Sequence, residues 1–262
     1  MDPMDPDKLA HFKALIGFDL LPRSRAGGPY PAVAWPDPLQ APGVHGEGWT
    51  IAADTPWREA QGSAREWVLR RGAETLVVLA FVSCAGETGA RDFLLARACN
   101  TMTLEVPYVA GPQDLGSLAV QSPNSGAPYL MWVSGNCCIE LKAFATALDL
   151  QAIARWLQSH LEAAALPRGA RAPDRVRMSA LQARVGEVLQ LRLEPGESAP
   201  PAGYLMELEY DRDEIEVVSQ DGLAASLRGR RAGTARLTVH GVDLATLASS
   251  DQSVELNFAA PE

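Results

Sequence analysis

Apolar and polar positions show little regular alternation before about Trp49; beyond it, strand-like and helix-like periodicity follow one another. Over Arg65 to Arg71, Trp67 and Leu69 share one face, and Glu74 to Val82 is continuously apolar, as in a central strand. Arg70-Arg-Gly-Ala between them predicts a hairpin turn. Across Glu87 to Cys99, the positions Ala90, Phe93, Leu94 and Ala98 take helical spacing, which predicts a helix lying on a sheet. Ser117 to Gln121, Tyr129 to Val133 and Cys137 to Ala143 read as three more strands, the last two joined at Ser134-Gly-Asn. In the final one Cys137, Ile139 and Leu141 share a face and Cys138, Glu140 and Lys142 share the other, so Cys137 is expected buried and Cys138 exposed. From Asp149 to Ala164, Leu150, Ile153, Ala154, Leu157 and Leu161 recur at helical spacing with Asp149 as the cap. Residues 49–166 are therefore expected to form an α+β domain, an antiparallel sheet with two packed helices.

Pro167-Arg-Gly-Ala-Arg-Ala-Pro-Asp breaks both periods and predicts a linker over 167–174. From Arg175 the period is two. Leu189, Leu191 and Leu193 alternate with polar neighbours, as do Tyr204, Met206, Leu208 and Tyr210, then Ile215 and Val217, Leu237 and Val239, and Val254, Leu256 and Phe258. Short alternating strands with no helix among them predict an all-β immunoglobulin-like sandwich over 175–258. The first 48 residues, dense in proline and glycine, predict an arm with one short helix near Asp7 to Ile16. The aromatics Tyr30, Trp35 and Trp49 would pack on the arm's own domain or on a partner.

Val176-Arg-Met-Ser, Val185-Gly-Glu-Val-Leu-Gln-Leu-Arg-Leu, Asp213-Glu-Ile-Glu-Val-Val-Ser and Arg231-Ala-Gly-Thr-Ala-Arg-Leu-Thr-Val resemble successive strand motifs of group 2 bacterial immunoglobulin-like domains. Leu208-Glu-Tyr210 stands where that family carries a tryptophan. The resemblance implies a spacer or adhesive module without catalysis. The N-terminal two thirds resemble small PsbP-like or lipoprotein-type α+β domains in the order of their elements and in Trp132-Val-Ser-Gly-Asn. Pro200-Pro-Ala-Gly-Tyr is similar to the first inhibitory loop of chagasin-like protease inhibitors, whose other two loop signatures are missing.

Composition narrows the function classes. The 262 residues are 47% apolar and 21% charged, with a net charge of −9, which disfavours nucleic acid as a partner. Arg228, Arg230 and Arg231 read as solvated surface. The apolar run Leu76 to Ala85 is too short to span a membrane. Lysine is scarce beside arginine, a usage associated with GC-rich bacteria. The acidic N-terminus lacks a secretory pattern, so the expected compartment is the cytoplasm if the chain is complete, and the periplasm or exterior if a signal has been trimmed. Four cysteines at irregular spacing predict free thiols.

Candidate chemistry is sparse. Glu207, Glu209, Asp211, Asp213, Glu214 and Glu216 could offer carboxylates to a cation, with Asp211, Asp213 and Glu214 at the centre. Their spacing instead predicts the wet positions of two neighbouring strands and the turn between them, with Arg192, Arg212 and Arg236 close enough to offset them. Histidines 11, 45, 160 and 240 lack metal-ligand spacing. His45 in a glycine-rich loop, Ser134 at a strand turn and Cys138 beside it are the candidates for a base and a nucleophile. Gly86-Glu-Thr-Gly lacks a phosphate-binding pattern, and no cofactor is expected. The leading expectation is a non-catalytic binding or scaffold protein whose partner is another protein, with the oligomeric state open. A hydrolase would need His45, Ser134 and Cys138 to converge in one pocket.

Overall fold

The hairpin expected at Arg70-Arg-Gly-Ala joins β2 (Gly62–Arg71) to β3 (Glu74–Ser83) in antiparallel register, Arg71 opposite Glu74. The computed structural model describes residues 6–15, 35–59, 61–101, 108–122, 128–163, 174–196 and 203–261. The chain divides into two units, Met1–Leu166 and Pro167–Glu262. Most of the linker, Tyr30, Ala164 and the prolines of the inhibitor-like loop lie outside the described residues.

In the first unit, β1 (Thr50–Glu59), β2, β3, β4 (Val109–Ala110), β5 (Leu118–Ser122), β6 (Tyr129–Ser134) and β7 (Cys137–Phe144) form one sheet in the order β1-β2-β3-β7-β6-β5-β4, every pairing antiparallel. Helix α1 (Pro6–Leu15) lies against α2 (Gly86–Thr101), and both α2 and α3 (Leu150–Ala163) pack on the sheet. The two sheet-bound helices take opposite faces. Phe93, Leu94 and Cys99 of α2 cluster with Leu79, Phe81, Met131, Val133 and Cys138. Gln158 of α3 instead accepts a hydrogen bond from Trp132 Nε1 (3.0 Å) and donates one to Ser134 Oγ (2.9 Å) on the alternate positions of β6. Asp149 caps α3 by accepting from the Gln151 and Ala152 backbone N–H groups, both at 3.0 Å.

β1 does not stand out in the sequence. It is an edge strand, exposed over its first half, so its apolar positions have no face to alternate about. Arg65 holds it through a forked pair to Asp54, with both contacts at 2.7 Å. Pro56 and its charged neighbours suit a strand that must not recruit another edge.

The Cys138–Glu140–Lys142 face is not exposed as its polarity suggested. Helix α2 covers it, leaving Cys138 and Glu140 each 1% exposed. Glu140 Oε2 accepts from Arg97 of α2 at 3.0 and 2.8 Å, and Lys142 Nζ lies 2.6 Å from Oε1 without hydrogen-bond geometry. Burial opposes the Arg97 charge, but the Glu140 carboxylate outweighs it and holds the guanidinium pKa above its ordinary value.

In the second unit, β8 (Arg175–Met178), β10 (Val188–Glu194), β12 (Ile215–Asp221) and β13 (Ala224–Gly229) form one sheet, ordered β12-β13-β10-β8. The other, β11-β14-β15-β9, comprises β11 (Tyr204–Tyr210), β14 (Gly233–Asp243), β15 (Ser249–Ala259) and β9 (Gln182–Arg184). After β8 the chain changes sheets, and β9 pairs in parallel with β15. Taking β8 and β9 as one split first strand, the sheets contain strands 1, 2, 5 and 4, and strands 3, 6 and 7, the partition of an immunoglobulin-type sandwich. Leu189, Leu191, Leu193, Tyr204, Met206, Ile215, Leu227, Leu237, Val239, Leu256 and Phe258 fill the core between them.

Asp174, placed in the linker by its sequence context, is 4% exposed and belongs to this core's rim. Its carboxylate accepts from the Gly196 N–H (2.8 Å), Tyr204 Oη (3.1 Å) and Ser250 Oγ. Asp174→Ala is expected to lower stability by about 2–3 kcal/mol, because three donors lose a charged acceptor. Urea unfolding followed on the sandwich transition checks this. In the first unit Arg97→Ala should cost about 2 kcal/mol, reduced from the fully buried case by partial exposure and by Lys142. Adding Glu140→Leu should recover part of the loss, since no uncompensated carboxylate remains; the same unfolding measurement reads both.

Candidate functional site

The three candidate catalytic residues are not brought together. Ser134 ends β6 and is fully buried, its hydroxyl held by Gln158 on the α3 face. Cys138, opposite Val133 in the ladder, points to the α2 face. His45 is exposed in the turns after a 3₁₀ turn at Pro38–Gln40. Arg71 tethers that segment, reaching Glu47 and lying over the Trp49 ring at 5.1 Å. Arg71 borders the Glu74 end of β3, whereas the β6–β7 turn sits at its Ser83 end, where the Ser83 N–H donates to the Asn136 carbonyl. The ten-residue strand between them is roughly 30 Å long at ~3.3 Å per residue. Trp49, 6% exposed, packs on its own unit.

Neither thiol of β7 is activated. Burial pushes Cys137 up to about 12; burial and then the Glu140 charge push Cys138 up, against the pull of Arg97. Cys84 is the exposed cysteine of the four. An aromatic disulfide reagent at pH 8 should therefore modify one thiol per native chain rapidly and all four in denaturant. The buried Cys137 thiol stays protonated where the unfolded one ionises. Its contribution to stability is present below pH 9.0 and lost as the pH rises toward about 12, a trend that alkaline urea titrations should show.

The acidic residues are dispersed by the sandwich. β11 and β12, adjacent in sequence, lie in different sheets. Glu209 pairs with His240 Nε2 at 3.1 Å, and His240 Nδ1 meets Asp251 at 2.8 Å. Glu216 pairs with Arg228 at 2.8 Å and Arg230 at 3.8 Å, so two arginines expected to be merely solvated are its partners. Arg236 donates to Ser253. Asp211 accepts from the Asp213 N–H at 2.8 Å in a tight turn that Glu214 continues. Among the described residues no group of three or more potential ligands could hold a metal ion.

One pocket, of about 400 Å³, lies in the second unit beside Arg192, Glu194 and Asp221; a smaller one, rimmed by carboxylates without a basic residue among its described lining, lies on the α2 face of the first sheet. A groove of about 200 Å³ is lined by Glu59, Gln61, Phe81, Gly89, Asp92, Phe93 and Ala96. Beneath it lies the stacked pair Phe81 and Phe93, 1% and 8% exposed, with centroids 4.0 Å apart and planes at 7°. Gly89, Asp92, Phe93 and Ala96 form one stripe of α2 at helical spacing. Two glycines let the walls approach: a Cβ on Gly62 would fall 2.8 Å from the Phe81 ring and 2.1 Å from the Val82 carbonyl oxygen, and one on Gly89 would lie 2.2 Å from Ser83 Oγ. Glu59 is oriented by Trp57, whose Nε1 donates to it at 2.9 Å. The sequence placed Phe93 on a helix facing the sheet, but Glu59 lies on the unrecognised edge strand. Gly86-Glu-Thr-Gly is the first turn of α2 itself.

Fold and geometry define a two-unit protein, an α+β unit with a small acid-rimmed groove followed by an immunoglobulin-type sandwich. No protein-family model and no curated protein matches the chain. Among solved structures, a polysaccharide lyase is similar over 80% of this chain and 36% of its own length, at 9% identity and a TM-score of 0.23. The chain thus spans 36% of that enzyme's length, and a likeness at that score carries no argument.

Proposed function

We propose that this is a non-catalytic bacterial binding protein. The α+β unit holds a partner protein in the groove between α2 and the β1–β3 face, and the sandwich spaces or presents it. The carrying observation is the groove itself, a concavity in which apolar Phe93 and Ala96 are joined by Glu59, Gln61 and Asp92, the mixed apolar and polar composition of a recognition site. The likeness of the sandwich motifs to group 2 bacterial immunoglobulin-like domains supports the spacing role. The chemistry-bearing side chains elsewhere have structural uses: Ser134 holds α3 and Glu140 holds α2.

Ala96 is partly exposed at the groove wall, so Ala96→Trp fills the groove without entering the core. Val218, 47% exposed on the sandwich, provides the control Val218→Trp. With the full-length chain as bait, a partner captured by the parent and by Val218→Trp should be lost with Ala96→Trp at matched thermal stability. Capture by Ala96→Trp equal to the parent would remove the groove from the function.

A further inference from the structure

The charge on the groove rim specifies what the groove takes. Among the described residues its lining includes two carboxylates, Glu59 and Asp92, and no cation. The basic residues nearest in sequence are engaged or turned away: Arg91 pairs with Glu87, Arg97 pairs with Glu140, and Arg58 alternates to the other face of β1 from Glu59. Asp92 is exposed and makes no hydrogen bond or ion pair with a described residue, while Glu59 is positioned by Trp57. The same lining includes Phe93, 8% exposed, and the partly exposed Ala96, apolar surface against which a methylene chain can lie.

Resting on the binding function proposed above, we infer that the groove recognises a basic side chain of a partner peptide, a lysine or arginine whose aliphatic stem lies against Phe93 and Ala96 while its cationic head meets the carboxylates of Glu59 and Asp92. Gln61, also on the rim, offers an amide to the peptide backbone at the same site. An acidic or uncharged apolar segment would leave both carboxylates without a counter-charge.

The test uses the full-length chain and three capped pentapeptides, Gly-Leu-X-Leu-Gly with X lysine, norleucine or glutamate, titrated by calorimetry at low salt. The lysine peptide should bind about tenfold more tightly than the norleucine peptide, with the glutamate peptide weakest. The preference should shrink as salt is raised and vanish in the double variant Glu59→Gln, Asp92→Asn. Both substitutions are isosteric and lie at the rim, and unchanged thermal unfolding shows that the fold persists. Equal binding of lysine and norleucine peptides, an undiminished preference in the double variant, or no binding of the lysine peptide would overturn this inference. If Ala96→Trp still abolished partner capture in any of those cases, the binding function would stand and only the basic-residue specificity would fall.

Discussion

A carboxylate buried at the centre of a seven-stranded sheet constrains everything around it. Glu140 sits on β7, the strand in the middle of the order, and is 1% exposed. A charge so placed needs cations within contact, because isolating it from water costs several kcal/mol. Lys142 on the same strand supplies one and Arg97 supplies the other from α2. That second contact fixes how far along the sheet α2 can slide and which face it turns down. The stripe Gly89, Asp92, Phe93 and Ala96 ends beside Arg97, so the pairing that neutralises Glu140 also seats Phe93 on Phe81 and sets the groove. The site's geometry follows from an ion pair outside it.

The sandwich has a counterpart in Asp174. This residue collects the Gly196 N–H and the Tyr204 and Ser250 hydroxyls, while Gln252 of β15 accepts from the Val176 N–H and donates to the Asp174 carbonyl. The strand that begins in one sheet is thereby tied to β15 of the other before it crosses over as β9. Each unit thus uses one buried carboxylate to hold an element that propensity alone would leave free to shift. These groups orient packing that the apolar cores drive.

Each candidate for chemistry in the sequence was assigned by type and local spacing, and the structure separated them through two general effects. Adjacent residues on a strand face opposite ways, and because Ser134 pairs across the ladder with Cys137, the next residue, Cys138, faces the other layer. Consecutive strands of a sandwich can belong to different sheets, which divides the carboxylates of β11 from those of β12. Local sequence spacing does not register either effect when the sheet membership is unknown. The groove was illegible for the complementary reason: Glu59, Phe81 and Asp92 come from three elements and share no motif.

What the sequence determined by itself was periodicity, and hence the class and order of most elements. The strands with one wet face, the helix capped by Asp149 and the alternating strands of the sandwich were all legible, because burial of one face imposes a period that composition must obey. β1, β4, β9 and β13 were not read, since edge strands and short or small-residue strands bury too little to leave a pattern. The fate of the Cys138–Glu140–Lys142 face was decided only by tertiary structure. Polar residues at alternate positions signal water unless another element covers them with matching charge, and Arg97, 43 residues before Glu140, does so here. Periodicity reports which residues share a face; what lies against that face is settled by the packing of segments distant in the chain.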